Sequence, residues 1–271
     1  MIDDGRGSID YAEQGSGPTV VLVPGSWGTR SAWRAVMAAL DGRFRFVTTS
    51  LLGYGGTVER RSESDVSITH EADIIEAVIR HAGGAVHLVG HSYGGQACLT
   101  VAIRRTAPLL SLSLLEPTGV NLLRQAGEFE LHEQISAVRD AYFRAFESGD
   151  AEAARHVIEL HDGEGSFNAL PPRVREYIVA TTKTNVLDWR SGMDMDEALS
   201  VYRTIALPSL ILRGGRAHPY AARSAEILCA AMPNASLAVV PGAAHSMMNT
   251  HADEVARLVS THISKAEPLN K

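Results

Sequence analysis

The chain has 271 residues, room for one large domain or two small ones around a substantial core. With 45% hydrophobic and 21% charged residues and a net charge of −6, it has the balance of an ordinary globular protein. No basic excess attracts phosphate backbones or anionic lipid, and Met1 to Arg6 lack the charged-then-apolar pattern of a signal peptide, so the expectation is a cytoplasmic protein without nucleic-acid or membrane partners.

Thr19-Val20-Val21-Leu22-Val23 is a β-branched run stopped by Pro24-Gly25, which predicts a buried strand. Trp33, Val36, Met37 and Leu40 then recur at helical spacing. A second strand is expected over 44–49, ending at the turn Gly53-Tyr54-Gly55-Gly56. Ile74, Ile75, Val78 and Ile79 stripe the next helix, and Gly83-Gly84 ends it. A third strand follows over 85–89, an apolar helix over 97–103 and a fourth strand over 109–115. Strands separated by helices of this length imply right-handed crossovers and an α/β fold with a mostly parallel sheet flanked by helices.

From 118 to 204 the alternation stops, which predicts a helical cap insertion. Ile135, Val138, Tyr142 and Phe146 mark one amphipathic helix closed by Gly149, while Asp150 and Pro171-Pro172 are candidate openings for two more. His161-Asp162-Gly163-Glu164-Gly165 reads as the most mobile loop of the insertion. The alternation resumes with a strand at 209–212, a helix over 221–232, a strand over 236–240 and a last helix over 254–263. The resulting division is a core of 1–117 and 205–264, a cap of 118–204 and a disordered tail of 265–271.

Gly90-His91-Ser92-Tyr93-Gly94-Gly95 carries the sharpest chemical signal. A strand runs straight into it and a helix straight out, the geometry that puts a serine hydroxyl at the tip of a sheet on a tight turn. The flanking glycines are needed because any Cβ would clash where strand and helix nearly touch. The plain alternative is a structural turn with a solvated serine. Pro241-Gly242-Ala243-Ala244-His245 follows the last strand, where a neutral imidazole can take the serine proton and return it to a leaving group. The alternative there is a lone surface histidine. Cys98 and Cys229 read as small buried hydrophobes, and His156 and His161, five apart, do not have the spacing of metal ligands on one helix face, so neither a metal nor a cofactor is expected.

Together these stretches resemble the α/β-hydrolase superfamily over the whole chain, with a likeness to bacterial methylesterase-type members in Val23-Pro24-Gly25-Ser26-Trp27 and in the elbow itself. The resemblance implies Ser92 as nucleophile and His245 as general base. It also implies backbone N–H groups of Ser26 and Tyr93 as an oxyanion hole, with Trp27 lining the substrate pocket. The family commonly has histidine where this chain has Pro24, and it usually places an aspartate in the turn that here reads Arg213-Gly214-Gly215-Arg216-Ala217-His218-Pro219. Ala217 occupies the acid position. Some relatives carry the acid after the preceding sheet strand instead, where this chain has Glu116; the alternative is an ordinary buried or edge glutamate. Arg216 and His218 receive no role.

A serine nucleophile with a histidine base predicts hydrolysis of a small or medium carboxylic ester or lactone through an acyl-enzyme, with a small-molecule substrate as the only expected partner. Carbon–carbon bond hydrolysis, a hydroxynitrile-type lyase, cofactor-free perhydrolysis and a non-catalytic ligand-binding protein remain open, because a fold does not choose a reaction.

Overall fold

A computed structural model describes residues 1–40 and 42–266 of the chain. Two short strands, Ile2–Asp3 (β1) and Ser8–Ile9 (β2), pair antiparallel at the amino terminus. Seven further strands form one sheet: Tyr11–Gln14 (β3), Thr19–Val23 (β4), Arg45–Thr49 (β5), Val86–His91 (β6), Leu109–Leu115 (β7), Ser209–Gly214 (β8) and Ala235–Val240 (β9). Their order is β3-β5-β4-β6-β7-β8-β9, and every pairing is parallel except that of β3 with β5. The α/β reading with a mostly parallel sheet holds. The edge strand β3 was not expected, because Tyr11-Ala12-Glu13-Gln14 is half polar and lies on the sheet by pairing with β5 rather than by its own apolar pattern.

Alternation along the strands assigns side chains to two cores. Val20 and Leu22 of β4 face one side and Val21 and Val23 the other; Leu210 and Leu212 of β8 separate from Ile211 in the same way. On the first side Arg34–Ala39 (α1), the short Met247–Thr250 (α12) and Ala252–Ala266 (α13) cover the sheet. On the second lie Thr69–Ala82 (α2), Ser92–Arg104 (α3) and Pro219–Ala231 (α11). Full burial of a Val, Leu or Ile side chain contributes roughly 1.5–3 kcal/mol, so two continuous apolar layers fix the register of every central strand.

Seven helices stand between β7 and β8: Val120–Gln125 (α4), Phe129–Glu147 (α5), Arg155–Asp162 (α6), Ser166–Ala169 (α7), Pro172–Ala180 (α8), Thr182–Asp194 (α9) and Leu199–Tyr202 (α10). Pro172 opens α8 as expected, at a first position where a missing N–H costs nothing. Asp150 does not cap α6; its carboxylate takes the Glu152 N–H at 2.9 Å in the turn before that helix. The 161–165 stretch departs from its reading as a mobile loop. His161 and Asp162 are the last turn of α6, and only Gly163 to Gly165 form the turn. The expected disordered tail also starts too early, since α13 continues through Ala266 with Ile263 buried against the sheet; residues 267–271 lie outside the described residues. No described helix is long and apolar enough to cross a membrane.

Candidate active site

The chain leaves β4 toward β5 on one side and returns to β6 on the other, so the carboxyl ends of β4 and β6 lie side by side. Such a switch point is where parallel sheets open a crevice. Pro24 to Gly28 follow β4 and Ser92 follows β6. Ser92 holds φ 55°, a left-handed conformation that a non-glycine residue pays for and that lifts its hydroxyl off the sheet tip. The close approach is real: a Cβ on Gly90 would sit 2.8 Å from Gly95 Cα, and one on Gly94 would sit 2.0 Å from the Pro24 carbonyl oxygen. Gly94 is therefore demanded by the loop after β4 as well as by the strand–helix packing. Gly25 brings that loop against the serine, since its Cβ would lie 2.8 Å from Ser92 Cβ.

Glu116 is the first residue after β7, and His245 lies in the loop after β9, so both reach the same edge as Ser92. The Ser92 hydroxyl meets His245 Nε2 at 2.9 Å, and His245 Nδ1 meets Glu116 Oε2 at 2.7 Å. The other Glu116 oxygen accepts the Gly214 N–H at 2.7 Å. Burial works to raise the Glu116 pKa, but the bond and charge of His245 and the Gly214 N–H outweigh it and hold the carboxyl below its ordinary range. An ionised Glu116 only accepts, which assigns the His245 proton to Nδ1 and leaves Nε2 to take the serine proton. All three side chains are buried. Glu226, the only carboxylate between Arg203 and Ala244, instead pairs with Arg213 and Arg223 on α11 at 38% side-chain exposure.

The remaining expected residues surround the serine. The Ser26 N–H has no hydrogen-bond partner among the described residues, and the Tyr93 N–H belongs to the first turn of α3, whose amides have no partner within the helix. Trp27, at φ 60°, lines a cavity of about 530 Å³ that contains Ser92 and His245. Its walls come from both sides: Tyr93 and Met248 from the sheet side, and Val157, Ile178 and Trp189 from the helices between β7 and β8. His218 only caps α11, its Nδ1 accepting the Tyr220 N–H at 3.4 Å, so the turn that lacks a carboxylate serves to start a helix.

Several residues of this site carried no signal in the sequence. His161 stacks on His245 with ring centroids 4.2 Å apart, and burial with the neighbouring imidazoles pushes its pKa well below normal. Asp162 accepts both the Ser246 N–H, at 3.2 Å, and the Ser246 hydroxyl, at 2.7 Å. His91 donates from Nε2 to the His245 carbonyl at 3.0 Å; burial, with His245 beside it, lowers its pKa to about 3 and keeps it neutral. Behind the loop after β4, Asp188 of α9 accepts from the Ser26 hydroxyl at 2.6 Å, the Tyr54 hydroxyl at 2.7 Å and Arg61 at 2.7 Å. Arg61 also reaches the Tyr93 hydroxyl at 3.2 Å, Glu59 at 2.8 Å and Glu71 at 3.4 Å. The one available signal was the spacing of Asn185, Asp188, Trp189 and Gly192, four positions of a single helix face that all line the cavity.

Comparison with known proteins agrees with this architecture. The chain is 25% identical over 273 residues to the 2-(acetamidomethylene)succinate hydrolase of Mesorhizobium japonicum, spanning 97% of this chain and 94% of that one. It is 24% identical over 294 residues to a fluoroacetate dehalogenase of a Burkholderia species, spanning 98% and 93%. In fold it resembles a thermophilic esterase from Thermogutta terrifontis, with a TM-score of 0.73 at 20% identity over 96% of this chain and 94% of that one. The profile described as "Alpha/beta hydrolase family" matches residues 20–258. With most of its length inside that match, the chain belongs to the alpha/beta hydrolase family.

Proposed function

We propose that the protein hydrolyses a small or medium carboxylic ester or lactone through an acyl-enzyme on Ser92. The observation that carries this reading is the buried series Ser92 Oγ to His245 Nε2 to Glu116, at 2.9 and 2.7 Å, beside a cavity that Ser92 and His245 line. Ser92 Oγ attacks the carbonyl carbon while its proton passes to Nε2. The tetrahedral oxyanion is met by the N–H groups of Ser26 and Tyr93, and collapse expels the alcohol with the proton from the imidazolium. Water then repeats the sequence on the acyl-enzyme. Glu116 holds the tautomer and stabilises the imidazolium.

The segment 118–204 acts as a cap in this reading, since its helices supply Val157, Ile178 and Trp189 to the cavity wall, and a site of about 530 Å³ suits small molecules rather than polymers. Dehalogenase or epoxide hydrolase chemistry, which needs a carboxylate nucleophile, has no counterpart here, because the elbow residue is a serine. The test is labelling by a fluorophosphonate together with turnover of short nitrophenyl esters and lactones, each lost in Ser92→Ala. Labelling without ester or lactone turnover would transfer the site to carbon–carbon bond hydrolysis, lyase or perhydrolase chemistry. Absence of labelling would leave a ligand-binding protein.

A further inference from the structure

Ser26 follows β4 and Tyr93 opens α3 after β6, so the two residues whose amides meet the oxyanion in the reading above come from different parts of the sheet edge. Their side chains nevertheless end on one helix. The Ser26 hydroxyl donates to Asp188 at 2.6 Å, and the Tyr93 hydroxyl donates to the Ser191 hydroxyl at 2.8 Å. Asp188 and Ser191 stand three apart in α9 and share a face of it. Both are buried. Arg61 joins the two contacts, because the same guanidinium nitrogen meets Asp188 at 2.7 Å and the Tyr93 hydroxyl at 3.2 Å.

Gly192, on the same face, lets α9 come this close. A Cβ there would lie 2.9 Å from Gln96 Oε1 and 3.7 Å from Tyr93 Cδ2, and the Gln96 side-chain amide donates to the Gly192 carbonyl at 2.9 Å. α9 is thereby seated on the start of α3, which carries the Tyr93 N–H. Ser26 lies inside a turn closed by the Gly28 N–H on the Gly25 carbonyl at 3.0 Å, and its hydroxyl links that turn to α9. An oxyanion donor works only within hydrogen-bond reach of the developing charge. Misplacing a group by about 1 Å can cost roughly 10²-fold in rate, and removing a donor outright costs about 10²–10³-fold.

We propose that α9 positions the oxyanion hole: Asp188 sets the Ser26 N–H, Ser191 sets the Tyr93 N–H, and Arg61 locks the two settings together. Asp188 and Ser191 are positioning residues, since their action passes through Ser26 and Tyr93. The hole is then a joint product of the sheet edge and of the segment between β7 and β8. This rests on the acyl-transfer reading of Ser92, and the two separate experimentally because that reading is decided by the wild-type protein and the positioning role by variants that keep Ser92, His245 and Glu116.

The experiment measures three quantities on the full chain: the rate of fluorophosphonate labelling at Ser92, the affinity for phenylboronic acid, and KM for a short nitrophenyl ester. Ser191→Ala removes the acceptor for Tyr93. Asp188→Leu removes the acceptor for Ser26 and leaves Arg61 paired with Glu59 and Glu71. Each variant labels about tenfold more slowly and binds the boronic acid, whose tetrahedral anion occupies the hole, about tenfold more weakly, with KM unchanged. The double variant loses roughly a hundredfold, approaching removal of a donor. If Asp188→Leu does not fold, Ser26→Ala with Tyr93→Phe cuts the same contacts from the other end and keeps both amides and the Arg61–Asp188 pair. Equal labelling rates and boronate affinities in wild type and variants overturn the positioning role and leave acyl transfer in place. Equal losses of boronate and ester affinity with a lower melting temperature also overturn it, since they mark a packing role. A wild-type protein that does not label overturns the acyl-transfer reading, and this inference falls with it.

Discussion

The ring of His161 lies stacked on that of His245, 4.2 Å between centroids, while its neighbour Asp162 holds Ser246 by backbone and hydroxyl. The last turn of α6 thus grips the histidine loop at two consecutive residues. Burial keeps His161 neutral, so the stacked ring brings no second positive charge beside the His245 imidazole.

His161→Ala is expected to lower kcat by roughly ten- to a hundredfold with little change in KM, the scale on which small displacements of a reacting group act. His161→Phe keeps a stacking ring and should recover most of the loss. Stopped-flow rates of fluorophosphonate labelling at Ser92 provide the measurement. Equal rates in the wild-type and alanine proteins would show that the stacking does not position the base.

Glu116→Gln should reduce turnover by about 10⁴-fold, the cost of a misassigned histidine tautomer in a related constellation, whereas Glu226→Gln should change it little. The Glu116 carboxyl also titrates below its ordinary range in the folded protein, so the stability it contributes is present above that range and is lost as pH falls through the depressed value. Urea titrations of Glu116→Gln should therefore lack part of the wild-type loss of stability in acid.

Removing the Ser26 hydroxyl tests the tie between the loop after β4 and α9. Ser26→Ala retains the backbone N–H but removes the hydroxyl that ties the residue to Asp188, and an expected drop of roughly tenfold in kcat reflects a loosened oxyanion donor. Affinity for a boronic acid, which mimics the tetrahedral state, should fall in step with kcat while affinity for a ground-state ester does not. A parallel fall in both affinities would make the tie merely structural.

Glu71 yields a prediction of opposite sign. It is fully buried, and burial raises its pKa from the usual 4.5 to about 8 although Arg61 lies close. Arg61 is shared among Glu59, Glu71 and Asp188, and one of these carboxyls keeping its proton relieves the surplus of negative charge. The folded state then binds a proton that the unfolded chain has released, so stability declines as pH rises from about 4.5 to about 8. Melting temperatures measured across this window should flatten in Glu71→Gln; an unaltered slope would assign the effect to other groups.

Much of the sheet was legible because buried parallel strands are short runs rich in valine or leucine and bounded by glycine or proline, as Thr19–Val23 and Leu109–Leu115 illustrate. Ser92, His245 and Glu116 were also legible as positions, since each directly follows a strand or its turn and parallel strands share one carboxyl edge. His161 and Asp162 were not. Glycines at 163 and 165 make that stretch look like a flexible loop, while the contacts that hold it come from His245 and Ser246, more than eighty residues away. The Arg61–Asp188 pair was hidden for the same reason: a charge on an irregular loop and one on a helix give no local pattern before the fold joins them.

The left-handed backbones of Trp27, Ser92 and Glu116 have a consequence for heat resistance. Each such non-glycine residue costs of order 1–3 kcal/mol, and all three follow strands at the edge where the cavity opens. Durability must then be supplied by the two apolar layers and by the opposite rim, where turns such as Gly83-Gly84 have open space around them and no task in the cavity. Selection for a hardier enzyme has its free ground at that far rim. Easing the strain at the near one would toughen the protein by blunting it.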